Sequence, residues 1–183
     1  QEAAGALLAL ADYKPNRLAI TAAEGIGRLV NLLATNSMET RAHAEGVLLR
    51  LTMETSNRSQ IIQSLVEMLR LAGMTGQEQA AAALANLARE SEDNRNSILN
   101  TDGIPPILAL LDSKSQTAKE NAVVAITELA RGSMENQAAV AAAGGVGHRQ
   151  RRVRLVPPFG PRDGDGTLGT ERHDDERRAR PLQ

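Results

Sequence analysis

The feature that most restricts the fold of this chain is a repeat. Four stretches place apolar residues at i, i+3, i+4 and i+7, the spacing of one helix face. They are Ala3, Ala6, Leu7, Leu10; Ala44, Val47, Leu48, Leu51; Ala80, Ala83, Leu84, Leu87; and Ala122, Ala125, Ile126, Leu129. Their last members lie 41, 36 and 42 residues apart. After each stretch comes an Asn, at Asn16, Asn57, Asn94 and Asn136. A β-branched residue follows four positions later, at Ile20, Ile61, Ile98 and Val140, and in three units a Gly follows at nine, at Gly25, Gly103 and Gly145. A period near 40 means stacked units, none of which can bury its own apolar face alone.

Each unit reads as three helices. The first starts near the Asn, a residue suited to accept an unpaired backbone N–H as N-cap. The Gly ends it, having no Cβ to penalise positive φ. The second begins at that corner, where Pro105 suits a first turn that needs no N–H. The third is the long amphipathic helix. Asn57 and Leu69 are 12 residues apart, whereas Asn16–Leu33 and Asn94–Leu111 span 17. The second unit therefore lacks five residues, its Gly corner among them, and "NRSQIIQSLVEMLRL" is expected to run as one helix.

In register and composition, "EQAAAALANLARESEDNRNSILNTDGIPPILALL" resembles an armadillo repeat, and the other units align with it over residues 1–146. Tetratricopeptide arrays have a period of about 34 and aromatic anchors; HEAT repeats are helical pairs without this Gly corner. The resemblance implies an all-α fold, a right-handed α-solenoid of three-helix repeats, about three and a half of them with both ends incomplete. It also implies a concave groove lined by third helices that binds extended peptides or partner proteins. Family members carry a ladder of Trp and Asn four residues apart. Here the Asn rungs fall on Ala9, Arg50, Asn86 and Glu128, and the Trp rungs on Gly5, Gly46, Ala82 and Val124. Only Asn86 keeps the family residue, which counts against capture of basic nuclear-import signals in the manner of importin-α.

The expected partner-binding groove comprises His43, Arg50, Gln79, Asn86, Arg89, Asn121, Glu128 and Arg131, with Glu2, Asp12 and Met53 at flanking positions. Arg50, Arg89 and Arg131 toward one lip suit a protein or extended peptide with acidic segments. Alternative roles are a nuclear import adaptor and the substrate-binding array of a larger enzyme such as a ubiquitin ligase.

No catalytic constellation stands out. The chain has no Cys, and His43, His148 and His173 share no metal-ligand spacing. There is no phosphate-loop motif. The expectation is a non-enzymatic chain with no cofactor, no metal and no small-molecule substrate. No apolar run approaches the ~20 residues of a membrane span, and no signal or acylation motif opens the sequence, so a cytoplasmic or nuclear location is expected. The first residue already lies in a helical pattern, which reads as a piece of a longer protein.

From Gly147 the rhythm stops. Residues 147–183 hold nine Arg, no Lys and six acids, against twelve basic and sixteen acidic residues in 1–146. Such Gly/Pro/Arg-rich composition predicts disorder. Three readings stay open: a plain tail; a functional one whose "RQRRVR" makes weak phosphate contacts; or a shifted reading frame or retained intron, for which the transcript in another frame would continue the repeat. Apolar stacking faces at both ends predict self-association.

Overall fold

The computed structural model describes residues 2–150, with side chains as far as 144. The expected tail from 151 onward lies outside the described residues. Ten α-helices follow one another without a strand among the described residues. They are α1 (Glu2–Leu10), α2 (Lys14–Ala22), α3 (Gly25–Leu32), α4 (Met38–Leu51), α5 (Thr55–Leu71), α6 (Met74–Glu90), α7 (Glu92–Asn100), α8 (Ile104–Ala109), α9 (Gln116–Ala130) and α10 (Met134–Gln150). A short 3₁₀ turn, Leu110–Asp112, extends α8. The third helices of successive layers are α1, α4, α6 and α9. The second layer's first two helices are fused into α5, as its missing corner requires.

The apolar stripes form one continuous core. Ala44, Val47, Leu48 and Leu51 on α4, Ala80, Ala83, Leu84 and Leu87 on α6, and Ala122, Ala125 and Leu129 on α9 are all buried. Ile126 is half-buried against them. α1 differs. Ala4 is its buried residue, with Ala11 buried just past its end, while Leu10 is 49% exposed and Ala3 and Ala6 face solvent. Only one flank of α1 is packed, against α4, so its buried face is turned by about one residue.

Two local expectations are corrected. The four Asn residues are not N-caps, because each helix begins two residues earlier and its N-cap lies three earlier. Ser91 caps α7 by accepting from the Asn94 N–H, and Ser133 does the same for Asn136. Ser37 and Ser115 cap α4 and α9. The Asn side chains instead point back. Asn16 Nδ2 donates to the Leu10 carbonyl at 2.9 Å, Asn57 to Leu51 at 3.3 Å and Asn94 to Leu87 at 2.9 Å. Those carbonyls lie in the last turns of α1, α4 and α6, where intrahelical donors run out. Asn136 is buried in the equivalent place, with its Nδ2 unpaired.

The corner glycines do not carry the positive φ either. Glu24 and Asp102 do, both at 55°. At the end of α7, the Asp102 N–H bonds the Leu99 carbonyl and the Gly103 N–H reaches Ile98, the Schellman pattern. Gly103 is needed for room: a Cβ there would stand 2.8 Å from both the carbonyl oxygen and Cγ2 of Ile98. Gly25 meets Ile20 in the same way, at 2.6 and 2.7 Å. In the last unit no corner forms, and α10 runs on as helix through Gly144 and Gly145 to Gln150.

Candidate protein-binding groove

The solvent-facing sides of the third helices carry the expected groove residues. Arg50 on α4, Gln79 and Asn86 on α6, and Asn121 on α9 are half-buried; Arg89 and Arg131 are exposed. The helical repeat puts them there, because each occupies the face opposite its own stripe of Ala and Leu. Glu128 departs from the pattern and is buried at 6% exposure.

These side chains are wired sideways from layer to layer. Arg50 Nε pairs with Asp12 in the turn after α1, and its Nη1 donates to the Gly46 carbonyl at 3.2 Å. Asn86 Nδ2 donates to Glu45 Oε1 on α4. Asn86 Oδ1 accepts from Arg89 Nη1 at 3.2 Å. Arg89 Nε and Arg131 Nη2 then reach the same Glu128 oxygen at 3.4 and 3.2 Å. Two guanidinium groups thus share one carboxylate, leaving a local positive excess on the surface of α6 and α9. Asn121 Nδ2 donates to the Glu78 carbonyl at 2.9 Å, and Glu78 itself accepts from Ser115. His43 stands apart, its ring packed on Gly5 of α1, where a Cβ would come within 3.3 Å of Cε1, with Nδ1 buried and unpaired.

No rung supplies an aromatic surface. At the Trp positions, Gly46 lies under Leu8 and Val124 is 39% exposed. Among the described residues no cluster of His, Asp and Glu could hold a metal ion. No described helix is long and apolar enough to cross a membrane.

A second set of ties between layers was not legible in the sequence. Arg17, 7% exposed, donates to the Ala11 and Asp12 carbonyls and to Glu54 Oε1 through two nitrogens, at 3.1 and 2.9 Å. Arg58 repeats the reach to Asp93 at 3.1 Å. Arg95 donates to the Ala88 carbonyl and Gln137 to the Ala130 carbonyl. The residue after each Asn therefore ties one layer's turn to a neighbouring helix end. The recurrent Asn-Arg pair was the available signal.

Residues 91–131 match the family model of the armadillo/beta-catenin-like repeat. Residues 91–131 carry an armadillo repeat. Among solved structures, one engineered protein is 28% identical, with a TM-score of 0.54 over 79% of this chain and 62% of its own. A second is 30% identical at TM-score 0.54, covering 79% of this chain and 37% of its own. A designed armadillo repeat protein in complex with the peptide (KR)4 is 23% identical at TM-score 0.55, over 79% and 63%. The chain described here thus spans less than two thirds of the length of each. No curated protein sequence matches it. The layered α1–α10 stack is the armadillo α-solenoid, with its second layer shortened by helix fusion.

Proposed function

We propose that this armadillo array is a non-catalytic interaction scaffold, and that an extended segment of another protein lies across α4, α6 and α9. The supporting observation is the lateral chain Glu45–Asn86–Arg89–Glu128–Arg131, which sets partly exposed hydrogen-bonding groups on successive layers. Repeat scaffolds bind through such extended faces. The exposed Arg50–Asp12 pair contributes at most about 1 kcal/mol. Glu128, whose side chain is 7% exposed, keeps Arg89 and Arg131 as partners, so a ligand carboxylate joins that cluster rather than displacing it. Arg50 and Asp12 are 35% and 59% exposed, and Arg89 and Arg131 are 50% and 60% exposed. A ligand carboxylate entering between Arg89 and Arg131 would meet the positive excess left by their shared Glu128. Capture of basic import signals has less support: the one retained rung, Asn86, already spends both polar atoms within the fold.

The test is titration of the chain with a fluorescent peptide in which Glu alternates with Ser. The wild-type protein is expected to bind it, with affinity falling as salt rises. The double variant Arg89→Glu, Arg131→Glu is expected to lose at least tenfold. Equal binding by both proteins would show that the face is misassigned.

A further inference from the structure

The shortened second layer changes the groove floor. α6 and α9 run in contact, and Ala81, Ala85 and Ala88 of α6 are buried, as are Ala118, Ala122 and Ala125 of α9. Small side chains let these two backbones approach closely. α4 faces α6 with Leu48 and Leu49 beside Ala42 and Gly46, and these two helices do not close. A cleft of about 320 Å³ separates them, lined by Ala42, Gly46 and Leu49 of α4, Leu65 of α5, and Ala83 and Leu87 of α6. Two carboxylates, Glu45 of α4 and Glu90 of α6, also line it. Glu45 accepts from Asn86 but pairs with no cation, and Glu90 pairs with none either, among the described residues.

We propose that this α4–α6 cleft takes one large aliphatic side chain of the bound peptide, with basic residues on either side of it seated by Glu45 and Glu90. The size sits at the low end of ligand pockets, ~300–1,000 Å³, enough for an anchoring side chain. In an extended peptide, positions i and i±2 share a face. The motif is therefore basic, any, aliphatic, any, basic. Charge complementarity selects it: Glu45 and Glu90 carry no ion pair among the described residues, whereas the neighbouring guanidiniums are already held, Arg50 by Asp12 and the Gly46 carbonyl and Arg89 by Glu128 and Asn86. The inference deepens the scaffold reading and rests on it: the Arg89/Arg131 surface and this cleft would read different parts of one ligand.

The probe is a peptide carrying Lys-Ser-Leu-Ser-Lys between Gly-Ser ends, added to protein labelled at Leu and Val methyl groups. Leu49, Leu65 and Leu87 resonances are expected to shift together and saturably. A probe with Leu replaced by Ser, or with both Lys replaced by Glu, is expected to bind at least tenfold more weakly. Ala42 is exposed, so Ala42→Trp fills the cleft from its rim without entering the core. It is expected to abolish the shifts, and Glu90→Lys to weaken them at least fivefold, while Leu84 and Leu129 keep wild-type positions and report an intact fold. Unmoved cleft methyls, or unchanged binding to Ala42→Trp, would overturn the proposal. If the cleft fails while the Glu-Ser peptide still binds through Arg89 and Arg131, the scaffold reading stands alone. Failure of both probes removes both.

Discussion

At the level of single residues, the buried donors at layer junctions matter more than their polarity suggests. Asn94 is 3% exposed and donates into the last turn of α6. Removing it leaves a buried carbonyl unpaired, which costs about 1–3 kcal/mol. Asn94→Ala is therefore expected to lower stability in urea titration by about that amount, and Asn16→Ala by less, because its bond faces solvent. Arg17→Ala is expected to cost about 3 kcal/mol, since it frees the Ala11 and Asp12 carbonyls and removes the closer cation from Glu54, whose side chain is 14% exposed and which keeps only the exposed Lys14 at 3.7 Å. The Asn residues were visible in the sequence but their role was not. An Asn at the N-cap and an Asn three residues inside the first turn both mark a helix start. What separates them is the Ser three places earlier at Ser91 and Ser133. The Arg17–Glu54 and Arg58–Asp93 pairs, between residues 37 and 35 positions apart, leave no local pattern, because their partners meet only after stacking.

At the level of helices and corners, the αL residues offer a stabilising change. Glu24 is an exposed non-glycine at φ 55°. Left-handed backbone costs a residue with a Cβ about 1–2 kcal/mol, so Glu24→Gly is expected to raise the melting temperature by a few degrees. Gly103→Ala is expected to act oppositely, losing about 2 kcal/mol, because the new Cβ meets the Ile98 backbone oxygen rather than a movable side-chain end. Thermal denaturation of the two variants checks both signs. The third-helix cores of α4, α6 and α9 were legible since a 3.6-residue period fixes which side is buried. α1 was misphased by one position, because the neighbour that usually defines both flanks covers only one of them. The groove residues were legible as positions on an outward face. Their sideways pairing was not, and nor was the burial of Glu128, which depends on Arg89 and Arg131 converging from two helices.

At the level of the whole stack, coupling between layers is uneven. The α6–α9 interface is closed by alanines, whereas α4 and α6 are separated by a cleft and joined mainly through α5. Solenoid stability is close to a sum of unit and nearest-neighbour terms, so the weaker junction opens first. Hydrogen exchange is expected to show amides of α1–α4 less protected than those of α6 and α9, with the change in protection falling near α5. Uniform protection across both halves would contradict this.

The fusion that makes α5 also disturbs the metre of anything laid along the groove. α6 and α9 set one even step for a bound chain, and α4 stands off that beat. On the scaffold reading proposed above, a ligand would be read as two short words with a spacer between them rather than as an evenly spaced tandem motif. Candidate ligands are better sought with a gapped pattern than with a strict period.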